Sequence, residues 1–351
     1  MRDDINVLLI MSDQHRADCV GQPAHVSTPN LDALAASGAC FDRAYSASAL
    51  CAPARRTLAS GLRPVNHGVL DEKWNRPLRA PTLASVLSRR GFHSHIVGKL
   101  HVWPSWQALG YGSASQTDWV HPAHDCSYSK YVHAHVGEQS WIDGEHDFNQ
   151  NSRAVRVWKL DESLHFTNWC ADETLRFLSS VPEGRRFFLN VSFVPPHPPL
   201  FPTEELLAKY LGRASPPAQT GDWSSRYGRA DEDGRTSTFW RGRLPAEELH
   251  LLRSAYFASI EHVDRQIGRI LAAIPANTLV IYLSDHGDML GDHYLFHKRA
   301  PYEASARIPM IIRMPPALAQ PPRRILQAVE LMDVMPTVLD ILKIPPPPQG
   351  I

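Results

Sequence analysis

Three short apolar runs, each followed at once by polar residues, most constrain what this chain can fold into. They occupy residues 5–11, 187–194 and 278–284, and each is apolar at most positions. A strand buried on both faces of a parallel sheet has this pattern, whereas a strand with one solvated side alternates. Because ligands of open α/β sheets bind at the carboxyl ends of the strands, the sequence predicts a functional site at the polar residues that follow these runs.

Segments with helical signals separate these runs, which indicates an α/β fold. Caps, apolar residues at helical spacing and terminal glycines predict helices at residues 28–38, 81–91, 166–181, 245–274 and 330–342. Two further strands are predicted at residues 92–101 and 309–313. Alternation along the first of them is expected to place Lys99 and His101 on one face.

The segment around Cys51 predicts a helix that begins at this cysteine. A loop of small residues leads to Cys51, Pro53 follows two places later, and an Arg-rich stretch runs to Gly61. Proline suits the first turn of a helix, and glycine suits the position just past its end. Cys51 is therefore expected at a helix N-terminus, where free N–H groups and the macrodipole favour a thiolate or a bound oxyanion.

The composition excludes several classes of protein. The 351 residues can bury a large core and are expected to form a single catalytic domain, residues 1–351. Lys plus Arg equals Asp plus Glu at 36 each, so no overall field favours nucleic acid or an anionic membrane. Neither a membrane span nor a basic-then-apolar leader is found, so a cytoplasmic location is expected. The five cysteines form no CxxC pair, which predicts reduced thiols.

The pattern Cys-x-Pro-x-Arg at Cys51, continued as Arg-Thr-Leu-Ala-Ser-Gly, resembles the signature of the type I sulfatases of the alkaline phosphatase superfamily. In that family the cysteine is oxidised to formylglycine after translation. Four further stretches match the family in order: an Asp-ended first strand followed by Thr-Pro-Asn-Leu-Asp, then Gly-Lys-x-His, Pro-His-x-Pro, and Asp-His-Gly with a lysine a dozen residues later. The resemblance implies a central, mostly parallel mixed sheet flanked by helices. The family's smaller C-terminal antiparallel subdomain is expected to be absent.

The resemblance also implies a metal site built from separate segments. The positions that match the family's ligands are Asp13, Gln14, Cys51 as formylglycine, Asp285 and His286. One divalent cation is implied, Ca²⁺ first, with Mn²⁺ or Mg²⁺ as alternatives because an imidazole broadens the choice. Gln14 stands where the family has a second aspartate, and with one negative charge fewer the affinity for the ion is expected to fall.

The catalytic roles implied by the resemblance start from the hydrate of formylglycine, a gem-diol. One hydroxyl attacks the sulfur of a sulfate monoester and expels the alcohol, while Arg55 and Lys99 hold the diol and offset its negative charge. Lys298 holds sulfate oxygens, and His197 donates a proton to the leaving oxygen with Lys298 assisting. His101 takes the proton of the second hydroxyl as the sulfated diol collapses.

Two other functions remain open at this point. The first is a phosphonate monoester or phosphodiester hydrolase of the same superfamily, with which Asp13 followed by Gln14 is compatible, although Lys99-Leu100-His101 resembles the sulfatase version of that segment. The second is a non-catalytic binder of sulfated ligands in which Cys51 stays a thiol. For the sulfatase, the implied partners are a small-molecule sulfate ester and a formylglycine-generating enzyme during maturation.

Two segments without steady periodicity are expected to lie near the pocket. Residues 104–165 are rich in Trp, His, Gly and Ser and are expected to be an insertion that forms a pocket wall. Residues 212–243 are polar and poor in aliphatic side chains, which predicts a mobile loop or lid. The natural substrate and the oligomeric state do not follow from the sequence.

Overall fold

A central sheet with helices on both faces dominates the computed structural model, which describes residues 4–21, 24–72, 78–101, 109–117, 126–137, 151–228 and 240–348. Its strands are β1 (Asn6–Ser12), β2 (Ala39–Phe41), β3 (Ala44–Tyr45), β4 (His93–Gly98), β5 (Ser113–Gln116), β6 (Phe187–Phe193), β7 (Thr278–Ser284), β8 (Arg307–Ile308), β9 (Met310–Arg313), β10 (Arg323–Ile325) and β11 (Val329–Glu330). Its helices are α1 (Pro29–Ala36), α2 (Cys51–Ser60), α3 (Pro64–His67), α4 (Leu83–Arg89), α5 (Ser127–Val136), α6 (Phe166–Ser180), α7 (Glu204–Leu211), α8 (Ala246–Ala273), α9 (Glu303–Ala306) and α10 (Val334–Ile341).

Among the described residues, the large sheet has eight strands in the order β10-β2-β9-β7-β1-β6-β4-β5. The run from β7 to β5 is parallel, β9 is antiparallel to both of its neighbours, and β10 is parallel to β2. A second, three-stranded sheet has the order β11-β3-β8. The prediction of an α/β fold with a mostly parallel mixed sheet is therefore confirmed.

Strand β1 shows why an almost continuous apolar run was needed. Val7, Leu9 and Met11 pack into a core with helices α2, α4 and α10 on one face of the sheet. Leu8 and Ile10 pack on the other face, in a core shared with α1, α6 and α8. Alternate side chains of one strand are thus buried on opposite sides, as expected for a central parallel strand.

The predicted strand over residues 92–101 is shorter in the structure, and the argument that alternation aligns Lys99 with His101 is wrong. Strand β4 ends at Gly98, whose φ of 93° is in the left-handed region. His101 also has a positive φ, 58°. Lys99 and His101 therefore follow a turn that glycine permits, and the turn rather than a strand face sets where they lie.

The segment 104–165 contains more regular structure than its sequence predicts. Strand β5 extends the sheet at its edge through pairing with β4, and helix α5 follows it. Residues 104–108, 118–125 and 138–150 of this segment lie outside the described residues, so its place as a pocket wall stays a prediction.

No helix in the described ranges combines the length and apolarity that crossing a bilayer would require. All five cysteines are free thiols, as the sequence predicts.

Candidate active site

The site lies where the carboxyl ends of the central strands meet the N-terminus of α2. Asp13 follows β1, and Asp285 follows β7, which pairs in register with β1 from Asn6 opposite Thr278 to Ser12 opposite Ser284. The Asp13 N–H donates to the Phe193 carbonyl at the end of β6 over 3.0 Å. Parallel pairing therefore brings residues from distant parts of the chain to one edge, as the polar strand ends predict.

Cys51 begins helix α2, as its flanking proline and glycine predict. The helix runs to Ser60, and Gly61 closes it in the left-handed conformation with φ of 67°. The Cys51 side chain is buried, and its Sγ lies 3.1 Å from Nε2 of His286 and 3.7 Å from Oδ1 of Asp13. The N-terminal position of this residue places it directly against the acidic strand ends.

Four metal-ligating side chains converge around Sγ of Cys51. Ligand atoms of Asp13, Cys51, Asp285 and His286, all buried, lie within 4.8 Å of one another. In both aspartates the oxygen Oδ2 pairs with the Arg55 guanidinium. The other oxygen, Oδ1, lies 3.7 Å from Nε2 of His286 in Asp13 and 3.8 Å from it in Asp285. Two carboxylate oxygens and an imidazole nitrogen are donors that suit a divalent cation.

His286 has the orientation of a metal ligand. Its Nδ1–H donates to the Gly287 carbonyl over 3.0 Å, which leaves Nε2 facing Cys51 and the aspartates. Such a bond from the outer nitrogen is what fixes the ring of ligating histidines. Burial lowers the pKa of His286, but Asp285 and Cys51 outweigh that effect and raise the pKa to about 9. The ring therefore lies where a positive charge, a proton or a metal ion, is favoured.

Arg55 and Lys99 neutralise the two aspartates. Arg55 donates from Nη2 to Asp13 and from Nε to Asp285, each over 2.9 Å, and Nζ of Lys99 lies 2.6 Å from the same oxygen of Asp13. Arg55 also donates to the Lys99 carbonyl and to the Ser192 hydroxyl. Burial raises the pKa of Asp13, but Lys99, His197, Arg55 and His286 outweigh this effect. Together they hold the pKa of Asp13 well below its usual range.

Lys298 and His197 form a pair on one side of the site. Nζ of Lys298 lies 2.7 Å from Nε2 of His197 and donates to Oε1 of Gln14 over 2.9 Å. Nδ1–H of His197 donates to the Pro198 carbonyl over 2.6 Å, so Nε2 is the acceptor of the lysine proton. Burial and the nearby Lys298 and Lys99 lower the pKa of His197 well below its usual value.

The amide of Gln14, a predicted ligand, is turned toward Lys298 and Asp288 rather than toward the cluster of four ligands. Nε2 of Gln14 donates to Oδ2 of Asp288 over 2.5 Å, and Oε1 accepts from Lys298. Gln14 has a positive φ of 68°, and its backbone N–H donates to Asp285. Asp288, which sequence reasoning missed, could have been found as the acidic residue that follows Asp285-His286-Gly.

His101 and Glu72 lie on the other side of Cys51. Oε1 of Glu72 accepts from the backbone N–H of Cys51 over 3.2 Å, and Oε2 lies 3.8 Å from Nε2 of His101. Burial, Lys99 and Arg55 lower the pKa of His101 well below its usual value, so the ring is neutral near pH 7. Glu72 was not predicted, since no motif or periodicity marks it.

The structure brings all ten predicted site residues into one contiguous network. The cluster around Cys51 joins the Lys298 and His197 pair through Gln14, whose N–H donates to Asp285, and it joins His101 through Glu72. The described parts of segment 212–243 lie against the loop that leads to Lys298: Gln219 donates to Asp292, and Phe296 donates to the Trp240 carbonyl. The described residues thus form one candidate site, with a polar segment against the loop that leads to Lys298.

Comparisons with known proteins found a family model, relatives and solved structures that are similar to this chain. The sulfatase family model matches residues 5–344. The chain is 35% identical over 368 residues to an arylsulfatase of Clostridium perfringens, with 97% of this chain and 75% of that protein aligned. It is 30% identical over 363 residues to a choline-sulfatase of Rhizobium meliloti, with coverages of 96% and 67%. A phosphonate monoester hydrolase of Agrobacterium radiobacter superposes with a TM-score of 0.81 at 26% identity, over 97% of this chain and 74% of that one.

Proposed function

The chain belongs to the sulfatase family and is a sulfate ester hydrolase, and from this premise we propose that its nucleophile is formylglycine made from Cys51. The observation that supports the proposal most is the position of Cys51. Its Sγ, at the start of α2, lies within 4.8 Å of ligand atoms of two carboxylates and an imidazole. An oxygen nucleophile at this position would have carboxylates nearby to take its proton, and Arg55 and Lys99 nearby to offset negative charge.

The residues present fit one divalent cation. Asp13, Asp285, His286 and the oxygen of the modified residue 51 would hold it, and we propose Ca²⁺ because three of these four donors are oxygen atoms. When bound, the ion supplies positive charge that makes a hydroxyl of residue 51 more acidic and attracts sulfate oxygens. We assign Gln14 no place among the ligands, since both atoms of its amide are engaged by Lys298 and Asp288.

The remaining residues divide the proton transfers between two sides of residue 51. One hydroxyl of the hydrated formylglycine gives its proton to a neighbouring carboxylate such as Asp285 and attacks sulfur. The sulfur–oxygen bond to the alcohol then breaks, and the leaving oxygen takes a proton from the Lys298 and His197 pair. Since His197 accepts from Lys298 at Nε2, the lysine is the source of that proton. On the other side, neutral His101 accepts the proton of the second hydroxyl. The bond from the carbon of residue 51 to the sulfate oxygen then breaks, which releases sulfate and restores the aldehyde.

Cys51 is a thiol in the encoded chain, so the proposal requires a formylglycine-generating enzyme as a maturation partner. Arg55 and Lys99 balance the charges of Asp13 and Asp285 before and after conversion. The ligand cluster is therefore expected to form in the unconverted chain as well. Folding and conversion are then separate requirements, which an experiment can measure separately.

Hydrolysis of phosphonate monoesters is a second candidate activity, supported by specific observations. Gln14 stands beside Asp13, His286 follows Asp285, and the fold is similar to that of a phosphonate monoester hydrolase. Lys99 and His101, which resemble the sulfatase version of their segment, favour the sulfate ester. We propose sulfate hydrolysis as the principal reaction and phosphonate hydrolysis as a slower one.

The test compares an aryl sulfate with an aryl phosphonate monoester on converted protein. We expect kcat/KM to be larger for the sulfate, and we expect Cys51→Ala to abolish both activities while the thermal unfolding temperature changes little. Substantial turnover by the alanine variant would overturn the covalent route. A larger kcat/KM for the phosphonate would overturn the proposed principal substrate and leave the nucleophile intact.

A further inference from the structure

Glu72 places a carboxylate beside the reacting side chain, and none of the proton transfers above uses it. One of its carboxylate oxygens, Sγ of Cys51 and a ring nitrogen of His101 all lie within 4.8 Å of one another. An ester group attacked by residue 51 must come within bonding distance of that side chain. The charge of Glu72 therefore lies within a few ångströms of the place that the ester occupies.

The charge of Glu72 is not balanced by an ion pair with a lysine or arginine of the described ranges. Asp13 and Asp285 each have such a partner in Arg55, and Asp13 also has Lys99. Oε2 of Glu72 is shielded from solvent and has no hydrogen-bond partner in the described part of the chain, and its neighbour His101 is neutral near pH 7. Within the described ranges, Glu72 thus brings to a site that binds anions a negative charge that has no ion-pair partner among lysines and arginines.

Such a charge repels a dianion more strongly than a monoanion. Lys298, Lys99 and a bound cation attract a dianion more strongly than a monoanion, because the interaction scales with the product of the charges. A sulfate monoester carries one negative charge. A phosphate monoester carries nearly two above its second pKa of about 6, and inorganic sulfate, the product, carries two. A site that is to favour the monoester over both dianions needs an opposing charge close to the ester group.

Building on the proposed function, we propose that Glu72 is a specificity-determining residue that selects the ester group by its charge. It disfavours phosphate monoesters as substrates, and it weakens the retention of inorganic sulfate after each turnover. Both effects have one cause, the repulsion between a fixed carboxylate and the second negative charge of the ligand. The hydrogen bond from Cys51 fixes that carboxylate in place.

The variant Glu72→Gln tests the proposal because the amide keeps the shape of the side chain and the oxygen that accepts from Cys51. We expect calorimetry at about pH 8 to show inorganic sulfate binding roughly tenfold more tightly to converted Glu72→Gln than to the converted parent protein. We also expect the ratio of kcat/KM for nitrophenyl phosphate to that for nitrophenyl sulfate to rise by on the order of tenfold. Unchanged sulfate affinity together with an unchanged ratio would overturn the proposal and leave Glu72 as a structural support of α2.

Asp264→Asn is the matched control, since Asp264 is a buried carboxylate that also accepts from backbone N–H groups at a helix start, those of Asn30 and Leu31 in α1. This variant is expected to change neither sulfate affinity nor the substrate ratio. If Glu72→Gln does not fold, Glu72→Ala is used instead, because it removes the same charge. The same changes in sulfate affinity and substrate ratio are expected for it. Sulfate binding requires no turnover, so absence of sulfatase activity in the parent protein would refute the proposed function without deciding the role of Glu72.

Discussion

Arg55 is the residue on which the charges of the site depend most. Its guanidinium bridges Asp13 and Asp285, and the same side chain reaches the Lys99 carbonyl and the Ser192 hydroxyl. A planar group with five donors can make these contacts at once, whereas a single ammonium cannot. Arg55 therefore joins the ends of β1, β4, β6 and β7 in addition to any role in catalysis.

Arg55→Lys is predicted to destabilise the protein strongly. The lysine can pair with one aspartate and leaves a buried carboxylate oxygen of the other without its partner, which costs roughly 3 kcal/mol or more. Urea unfolding of the unconverted chain measures this cost without any contribution from turnover.

Arg269→Lys provides the comparison, because Arg269 pairs with Asp172 at the surface, where both side chains are more than one-third exposed. We expect that exchange to change the free energy of unfolding by less than about 1 kcal/mol. A cost of similar size for the two variants would show that Arg55 does not hold the aspartates as described.

At the scale of elements, the end of β4 decides where Lys99 and His101 lie. Gly98 has a φ of 93°, and a Cβ at this position would lie 2.0 Å from the Ser192 carbonyl oxygen of β6. The next N–H, that of Lys99, donates to this same carbonyl over 2.9 Å. Glycine is thus needed at this turn for two reasons. It tolerates the positive φ, and it leaves room for the close approach of β6.

Gly98→Ala is therefore predicted to cost about 3 kcal/mol or more in unfolding free energy and to abolish activity by displacing Lys99. Gly91→Ala separates the two causes, since Gly91 has a similar φ of 84° but nothing within 4 Å of the added carbon. It is expected to cost about 1 kcal/mol and to leave turnover nearly unchanged. Equal costs in urea unfolding would contradict the steric part of this explanation.

The elements that the sequence predicts best are those with a strong local signal. The strands that precede Asp13 and Asp285 are apolar at most positions, and the start of α2 at Cys51 is marked by a proline and a glycine. Their end points agree with the structure to within a few residues. Local pattern was sufficient because burial on both faces and helix termination are local requirements.

The parts that could not be predicted depend on contacts between distant segments. Strand β5 is short and half-buried at the sheet edge, so it carries no apolar run. Gln14 is engaged by Lys298, which lies 284 residues away, and Glu72 contacts Cys51 from 21 residues away, across α2 and α3. The spacing of residues in the sequence does not predict these contacts, because they depend on how the loops after each element bring distant segments together.

At the scale of the whole molecule, buried neutral histidines link stability to pH. Burial lowers the pKa of both His95 and His165 to about 4. Between pH 6.5 and about 4 the unfolded chain therefore binds protons that the folded protein does not, so stability falls as the pH decreases through this range. The low pKa of Asp13 has no effect there, because its contribution is lost only below the ordinary value of 3.8.

Lowering the pH from about 7.5 to about 5.5 is predicted to cost roughly 1.4 kcal/mol for each of these two histidines. Urea unfolding at the two pH values measures the loss. In His165→Gln, which keeps groups for the contacts to Phe201 and Thr167, the loss is expected to shrink by about 1.4 kcal/mol. A loss of the same size in the variant would show that His165 does not bind the proton on unfolding.

The central claim is that residue 51 acts only after conversion of its thiol to an aldehyde, in the cluster formed with Asp13, Asp285 and His286. The most direct test determines, in one set of preparations with different degrees of conversion, the mass of the peptide that contains Cys51 and the turnover of an aryl sulfate. The account predicts that turnover per protein molecule is proportional to the aldehyde fraction and vanishes for the pure thiol form. Equal turnover by preparations of thiol and aldehyde would contradict it.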